Sequence, residues 1–438
     1  MNINSQLARL PLWLDLTWLS TRLSWPLLNI LAENSTHSVR VNARYQHITP
    51  HMICNIVPIF ATAPLLPHLK SLYMIAENGE LSKIPFEIPP INKHKVKVCI
   101  SPLFVNEQWH IFLFSVHVYK HFGAHMHIYI TSAIDSFFDL IQEYEKEGYL
   151  SVQPWINTVF PGVPLSLADT KLQVEFRGQA AAQTDCLLRF KETSDFISFM
   201  DFDDVLIPRL APTYYEEFVK VMHSQPDVSY VTYEKKNHKL EWLSSPQLFS
   251  FSKMFKTIQF LTPKETGKIV VNPKLMNHTW IHFPSFLPSH LKNFTVSENA
   301  ITHLKTVKKV RRFSQQDLPK YFNDTREYLM SEESLAEIDR DVRRMLRKPS
   351  VSRIVPHLPK TLFYAKIVSD CYYEKYYFYD ATCDVQSCPG PFMCEYPQRD
   401  DIKCVHSNSF VSKQTAKYPI TYYCPTKKGF SREMGCYP

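Results

Sequence analysis

The sequence predicts an α/β fold in which a mostly parallel sheet is flanked by helices, beginning near Lys95. One observation is the alternation of apolar, strand-like segments with helical ones, which is typical of a right-handed, mostly parallel sheet. A second is that Gly123 and Gly148 follow two of the predicted helices, at the position where a helix C-terminus favours glycine. A third is a short apolar strand, 196–200, that runs directly into a group of acids. These observations predict a sheet whose carboxyl edge carries polar side chains.

The predicted elements follow one another from residue 96 to residue 233, with an irregular stretch before residue 179. The predicted strands are 96–102, 125–131, 149–155, 196–200 and 228–233. The predicted helices are 109–122, 136–147, 179–191 and 211–223, with a charged outer helix at 333–348. The predicted domains are an N-terminal stem or lead-in over 1–94, the α/β domain over 95–320, a helical extension over 321–370 and a Cys-rich region over 371–438.

Composition and charge exclude several classes of function. The chain has only 9 glycines in 438 residues and no Gly-rich phosphate-binding motif, so a nucleotide would be bound by other means. The formal charge of +7 suits an anionic ligand such as a nucleotide diphosphate but is too weak and too dispersed for a nucleic-acid partner. The densest basic run, from Lys305 to Arg312, is either a solvated surface or a phosphate-facing segment.

The ten cysteines are unevenly placed, and seven of them lie between residues 371 and 436. Such clustering favours disulfides in an oxidising compartment, with a zinc knot as the alternative. Residues 7–31 are apolar but interrupted by charges, so a membrane anchor, an interfacial helix and an incorrect start of the chain all stay open. Four N-x-[ST] sequons agree with a lumenal or extracellular protein, and they begin at Asn34, Asn277, Asn293 and Asn323.

The segment that carries most of the chemistry is the acidic turn, Asp201 to Asp204, directly after the apolar strand 196–200. In an open α/β sheet, ligands bind at the carboxyl ends of the strands. Three crowded carboxylates repel one another, and Mn²⁺ or Mg²⁺ would relieve that repulsion while binding substrate phosphates. Alternation along an extended segment puts Asp201 and Asp203 on one side and directs Asp204 elsewhere. The alternative is an ordinary turn whose acids cap helices or face solvent.

Several blocks of the sequence resemble glycosyltransferase family 92, formerly called DUF23. They occur in order and with suitable gaps, and the likeness covers about residues 95–320. The blocks are 99–104, Glu107 with Trp109, 116–124, 127–132, 140–148, 179–189, 199–208, 268–274, 280–284 and 300–305.

The resemblance implies a GT-A type fold and the inverting transfer of a hexose from a nucleotide sugar to a glycan, with a Mn²⁺-type cation as cofactor. UDP-galactose is the donor of the best-known members, and members are typically anchored in Golgi membranes. Two features depart from the family pattern. Asp204 stands where Glu is more frequent, and the N-terminus lacks the usual clear anchor.

The candidate catalytic residues are Asp201, Asp203 and Asp204, of which Asp201 and Asp203 are also candidate metal ligands. His303 and His282 would complete the coordination, or are structural histidines. Candidate donor-binding residues are Glu107 and Asp185, which lie in the family blocks, and Lys305, whose charge suits a phosphate. The general base stays unassigned among Glu234, Glu241, Glu265 and Glu298.

Two other functions and one other metal site are compatible with the sequence. A catalytically silent glycan-binding or scaffold protein of the secretory pathway would keep the fold without turnover. A metal-dependent phosphohydrolase would use the same acids without a sugar acceptor. A zinc site among four histidines is less favoured, because Gly123 ends the helix that carries the first two; they are His117, His121, His125 and His127.

Overall fold

The computed structural model describes residues 7–15, 28–49, 54, 56–75, 78–156, 174–222, 226–239, 245–305, 330–372, 374, 388, 390, 394–397, 399–409, 411–414, 422–425 and 429–437. Within them the strands are β1 (Leu7–Asp15), β2 (Leu28–Glu33), β3 (Ser38–His47), β4 (Ile56–Pro64), β5 (Ser71–Ile75), β6 (Leu81–Lys83), β7 (His94–Leu103), β8 (Ala124–Ile130), β9 (Ser132–Ile134), β10 (Leu150–Pro154), β11 (Ser194–Met200), β12 (Asp204–Leu206), β13 (Val228–Lys239), β14 (Gln259–Val271), β15 (Lys292–Lys305), β16 (Lys403–Ser407), β17 (Val411–Gln414), β18 (Tyr422–Pro425) and β19 (Phe430–Met434). The α-helices are α1 (Trp109–His121), α2 (Asp135–Lys146), α3 (Gln179–Phe190), α4 (Tyr214–Met222), α5 (Phe251–Lys256), α6 (Glu332–Leu346), α7 (Pro349–Ile354) and α8 (Tyr364–Tyr372).

Eight strands form the central sheet of the described residues, in the order β10-β8-β7-β11-β14-β13-β15-β12. The pairs β10–β8, β8–β7, β7–β11 and β13–β15 are parallel. The pairs β11–β14, β14–β13 and β15–β12 are antiparallel. Four of the seven pairings are therefore parallel, and the prediction of a mixed, mostly parallel sheet is confirmed.

Helices cover both faces of this sheet because its central strands are apolar on both sides. In β7, Val96, Val98 and Ile100 belong to the buried cluster that contains α1 and α2, whereas Cys99 belongs to the cluster of α3. Cys99 forms a disulfide with Cys186 of α3. The two helical layers therefore enclose the strands that lead to the acidic turn.

Most elements predicted between residues 95 and 223 begin and end within three residues of the observed ones. Gly123 and Gly148 adopt φ values of 85° and 73° just after α1 and α2, as the helix-stop interpretation predicts. β13 continues to Lys239, six residues past the predicted strand end. That extension matters because it carries Lys235.

The N-terminal part forms a second sheet that the sequence analysis did not predict. Six strands of the described residues pair antiparallel in the order β1-β4-β3-β2-β5-β6. A small buried cluster that includes Ile30, Ala32 and Leu72 belongs to this sheet. β1 and β4 contact α3, so the segment predicted as a stem or lead-in contains ordered strands beside the α/β domain.

The Cys-rich region is joined to the α/β domain by strand pairing and by ion pairs. β16 pairs with both β19 and β9, and Arg432 of β19 contacts Asp135 and Asp139 of α2. Cys383 lies outside the described residues, as does the side chain of Cys424. The described residues contain four disulfides, which confirms the prediction of disulfides but not of any pairing, since the sequence left the pairing open; they are Cys54–Cys388, Cys99–Cys186, Cys371–Cys394 and Cys404–Cys436.

A membrane span would need a long and apolar helix. No helix within the described ranges has both the length and the apolar character to cross a bilayer. The segment 16–27, part of the apolar N-terminal stretch, lies outside those ranges.

Candidate active site

The acidic turn lies at the carboxyl end of β11, in the middle of the central sheet. β11 ends at Met200, and the backbone N–H of Asp204 donates to the carbonyl of Asp201 over 3.0 Å, which closes the turn. β12 then begins at Asp204 and pairs with β15. Because β11 lies between β7 and β14, side chains from both neighbouring strands reach the acids.

Three donors from three different elements fix the carboxylate of Asp201. Its Oδ1 accepts from Ser101 Oγ of β7 over 2.9 Å and from Gln179 Nε2 of α3 over 2.6 Å. Its Oδ2 lies 2.8 Å from the ammonium nitrogen of Lys268 on β14. The side chain remains 32% exposed, so the carboxylate is held from within the protein and still faces solvent.

Asp204 is the buried member of the turn, with no exposed side-chain surface. Its Oδ1 lies 3.3 Å from the ammonium of Lys235 on β13, and its Oδ2 lies 3.8 Å from that of Lys268. Its backbone carbonyl accepts from Tyr119 Oη of α1 over 2.9 Å. Asp204 is therefore directed into the protein, where it contacts two cations.

The two lysines change the electrostatic interpretation of the turn. The repulsion among Asp201, Asp203 and Asp204 is opposed by cations that the protein supplies, because Lys268 and Lys235 contact two of the three acids. Sequence reasoning gave neither lysine a role at the acids. The sequence signal that indicates Lys268 is its position directly before the apolar strand segment Ile269–Val271. A lysine is rarely fully buried in such a strand unless an acid pairs with it.

The same cations control the protonation of Asp201. Burial would raise the pKa of Asp201, but the ammonium groups of Lys268 and Lys235 outweigh burial and hold that pKa well below its usual range. Asp201 is therefore ionised at neutral pH. Asp203, between the two anchored acids, is half-buried.

Comparison with known proteins identifies the family. Residues 94–346, more than half of the chain, match the model of glycosyltransferase family 92. The chain belongs to glycosyltransferase family 92. A family 92 protein of Caenorhabditis elegans is 42% identical over 415 residues, which cover 93% of this chain and 82% of that protein. A second one from the same organism is 37% identical over 419 residues, covering 93% and 83%.

Among solved structures, the chain is similar to the mannosyltransferase PcManGT from Pyrobaculum calidifontis in complex with GDP-Man and Mn²⁺. The TM-score is 0.27 at 10% identity, over 67% of this chain and 84% of that one. The matched family stretch begins at His94, the first residue of β7, and ends with α6. It includes the acidic turn and every strand of the central sheet.

In the family 92 domain, His282 is oriented by a backbone carbonyl. Its Nδ1 lies 3.2 Å from the carbonyl oxygen of Gly267, which only accepts, so Nδ1 carries the proton and Nε2 the lone pair. Burial and the nearby Lys268 lower the pKa of His282 to about 4, and the ring is neutral at pH 7. A side chain at Gly267 would place its Cβ 1.9 Å from the carbonyl oxygen of Tyr233, so β13 and β14 approach closely only because residue 267 is glycine.

The strand register brings His303 to the acidic turn. β12 and β15 pair antiparallel with Asp204 opposite His303, and β13 pairs with β15 so that Asn237 is opposite His303 and Lys239 opposite Lys305. The backbone of His303 is therefore adjacent to the turn. The side chains of His303 and Lys305 lie outside the described residues, and their predicted roles stay predictions.

Gln179, which donates to Asp201, follows a strained turn. Phe176 and Arg177 have φ values of 39° and 58°, in the left-handed region that side chains other than glycine rarely adopt. The carbonyl of Arg177 accepts from the indole nitrogen of Trp155 over 2.9 Å, which helps to hold this conformation. The turn places Gln179 at the first position of α3, where its amide also reaches Ser101 Oγ at 2.7 Å.

Asp185 and Glu107, the two acids predicted to bind the nucleotide-sugar donor, form hydrogen bonds with residues outside the acidic turn. Asp185 of α3 accepts from Tyr129 Oη over 2.5 Å, and its Oδ2 is 3.5 Å from the Nε of Arg189. Glu107 is buried and accepts from the backbone N–H of Ala365 over 2.9 Å, at the N-terminus of α8. Glu107 therefore stabilises a helix start from 258 residues away in sequence, a role that local motifs do not reveal. Contacts of either acid with a donor stay predictions.

The four closely spaced histidines engage different partners. His117 contacts Asp341 and Tyr144, each at 2.8 Å, and His125 Nδ1 lies 2.8 Å from the ammonium of Lys97. His127 Nδ1 lies 2.8 Å from Ser151 Oγ. Within the described part of the chain, no three His, Cys, Asp or Glu side chains form a group that could hold a metal ion.

A divalent cation at the turn would therefore take few protein ligands. Mg²⁺-type cations commonly bind one or two carboxylates and take their other ligands from phosphate oxygens and water. Asp203 is half-buried and Asp201 is partly exposed, so these two carboxylates of the turn are suitable ligands for such a cation. The donor set fits a cation that arrives with a diphosphate.

Proposed function

We propose that this family 92 chain transfers galactose from UDP-galactose to a glycan acceptor, with inversion at the anomeric carbon and with Mn²⁺ or Mg²⁺ as cofactor. The observation that carries the proposal is the acidic turn at the carboxyl end of β11, fixed by donors from β7, α3, β13 and β14. The carboxyl edge of an open α/β sheet is where ligands bind. The choice of donor and the inversion rest on the family resemblance.

Asp203 and Asp201 would hold the metal, and His303 or, less favourably, His282 would complete its coordination with a ring nitrogen. When bound, the cation supplies positive charge against the negative charge that develops on the leaving diphosphate. Lys305 would neutralise phosphate oxygens as a point charge. Ser101, Gln179 and Lys268 hold Asp201 in one orientation before the donor arrives, which lowers the cost of assembling the site.

Inversion requires a carboxylate that takes the proton of the acceptor hydroxyl. Of the four candidate glutamates, Glu234 is the one whose side chain lies within the described residues, and it directly precedes Lys235 on β13. The base stays unassigned among Glu234, Glu241, Glu265 and Glu298.

The proposed location is the lumen of the secretory pathway, at the Golgi membrane. The four disulfides support an oxidising compartment, where such bonds form and persist. Association of the N-terminus with the membrane remains part of this proposal.

A donor screen tests the proposed function. The full chain is heated with UDP, GDP and their sugar conjugates, with and without MnCl₂, and the unfolding temperature is recorded. UDP and UDP-galactose should raise that temperature, and Mn²⁺ should enlarge the rise, because a ligand that binds only the folded state stabilises it. Equal unfolding temperatures in all conditions would contradict nucleotide-sugar binding and favour the silent scaffold.

A further inference from the structure

Lys268 is an unusual residue for its place in the fold, because it is fully buried and charged. β11 and β14 pair antiparallel at Ile197–Val271 and Ser198–Val270, and this register runs toward Lys268 at the end of β11. Its ammonium meets Asp201 Oδ2 at 2.8 Å and Asp204 Oδ2 at 3.8 Å. One cation thus connects the exposed acid of the turn with the buried one.

Stability alone is a weak reason for such an arrangement. Burying a charge pair costs desolvation, and replacing it by apolar side chains is often neutral or stabilising. The side chains of Lys268 and Lys235 are 0% and 6% exposed, and the ammonium groups of both contact the carboxylate of Asp204. The buried lysines are therefore better explained by their effect on the charge and orientation of Asp201 than by a contribution to the free energy of unfolding.

The contacts of Asp201 show what Lys268 does. Ser101 and Gln179 hold Oδ1, and Lys268 holds Oδ2. With donors on both oxygens, the carboxylate plane has one orientation. Asp204 in turn holds Lys268 from the buried side, and Lys235 holds Asp204.

We propose that Lys268 is a positioning residue of the transfer reaction, which fixes the Asp201 carboxylate for the incoming nucleotide diphosphate and its cation. This inference rests on the proposed function, since it assigns a role at the same site. Without the ammonium, Oδ2 of Asp201 loses its partner, and the acids of the turn lose one of the two cations that oppose their repulsion. The nucleotide then meets a carboxylate that has no fixed orientation.

The test is calorimetric titration of UDP, with MnCl₂ present, into the full chain and three variants. K268M keeps an unbranched side chain of similar length and removes the charge, and we expect UDP affinity to fall by about tenfold or more. K268R keeps the charge and should recover part of that loss. K97M is the matched control, because Lys97 is an equally buried lysine of the same sheet with no acid contact in the described residues, and its UDP affinity should stay near wild type.

A second design covers the case in which K268M does not fold. K268M/D204N removes the cation together with one buried acid, so the local charge stays balanced, and it should fold and still bind UDP weakly. Wild-type affinity in K268M, or an equal loss in K97M, would overturn the proposal.

A double-mutant cycle separates this inference from the proposed function. K268M should reduce the free energy of unfolding more in the wild-type background than in the D201N background, because the pair exists only in the former. Equal effects would contradict the positioning contact. A wild-type chain that binds no UDP would instead contradict the proposed function, while coupling in the cycle would still establish the pair.

Discussion

The ammonium nitrogen of Lys268 lies 2.8 Å from Asp201 Oδ2 and 3.8 Å from Asp204 Oδ2, so two acids of one turn share a cation from the neighbouring antiparallel strand. This relationship keeps Asp201 ionised and oriented although it stands among other carboxylates. It also divides the turn, because Asp204 is directed inward and Asp201 stays partly exposed. The geometry of the candidate site is therefore set before any ligand binds.

The first prediction concerns Gln179, the donor from α3. Q179A removes the amide that meets Asp201 Oδ1 at 2.6 Å, and kcat/KM for the donor should fall by about 10- to 100-fold, the scale of one hydrogen bond to a charged group. The measurement is steady-state kinetics, with circular dichroism to establish folding. Q247A, at an exposed glutamine, is the control and should match wild type. Unchanged kinetics in Q179A would show that Asp201 does not need this donor.

The second prediction concerns Glu107 and pH. Burial raises the pKa of Glu107 to about 7 from an ordinary value of 4.5, although the backbone N–H groups at the start of α8 oppose the shift. The folded state thus binds this proton more tightly than the unfolded chain does. The contribution of Glu107 to the free energy of unfolding is fully present below pH 4.5 and is lost as the pH rises through about 7.

E107Q should remove this pH-dependent loss of stability, because glutamine does not ionise. Its side-chain amide oxygen can still accept from the backbone N–H of Ala365. Its stability relative to wild type should therefore increase between pH 4.5 and pH 8, by on the order of 1–3 kcal/mol. Urea unfolding at several pH values measures it. The control is E143Q, because the ion pair with Lys146 lowers the pKa of Glu143, and that variant should show no such increase. A constant difference between E107Q and wild type would refute the raised pKa.

The third prediction concerns the buried Lys97 of β7. Its ammonium lies 2.8 Å from His125 Nδ1 and 4.0 Å from the ring centre of Phe190, and burial lowers the pKa of Lys97 to about 7. In the unfolded chain Lys97 keeps its proton up to about pH 10.5, whereas in the folded protein it loses the proton above about pH 7. The buried charge therefore lowers the free energy of unfolding at pH 7 and below, and this cost disappears as the pH rises toward 10.5.

K97M should therefore be more stable than wild type at pH 6, by on the order of 1–3 kcal/mol, with a smaller gain at pH 9. K95M, at an exposed position of the same strand, should stay within about 0.5 kcal/mol of wild type. Thermal and urea unfolding of both variants make the comparison. A K97M variant that is less stable at pH 6 would mean that the packing of the lysine stem outweighs the cost of its buried charge.

The sequence predicts the central domain well because periodicity reports burial directly. β7, α1, β8, α2 and β10 alternate as expected, and the apolar run Phe196–Met200 indicates a central strand that ends at the acids. The N-terminal sheet was missed although Val39, Val41 and Ala43 of β3 alternate with polar residues. Several prolines between residues 58 and 90 interrupt this part of the chain, and because proline is disfavoured inside strands the short alternation alone does not predict a sheet.

The remainder of the site depends on register and on distant contacts. Lys235 and Lys268 reach the acids only because β14 pairs antiparallel with β11 and β13 pairs antiparallel with β14, which no spacing in the sequence specifies. The contact of Glu107 with α8, far along the chain, likewise depends on the tertiary fold, and its predicted role in donor binding stays a prediction. The β12–β15 register brings the backbone of His303 opposite Asp204, and its role as a metal ligand stays a prediction.

If the acidic turn of β11 carries the proposed metal-dependent sugar transfer, that activity should depend on Asp203. The measurement is the transfer of labelled galactose from UDP-galactose to glycans released from glycoproteins, with MnCl₂, by wild type, D203A and D195A. D195A is the matched control, because Asp195 is an exposed acid at the other end of β11. We expect D195A to match wild type, and D203A to fold but to lose activity by at least about a hundredfold, the scale of several kcal/mol of charge stabilisation. Undiminished transfer by a folded, Mn²⁺-supplied D203A would show that the acidic turn does not carry the reaction.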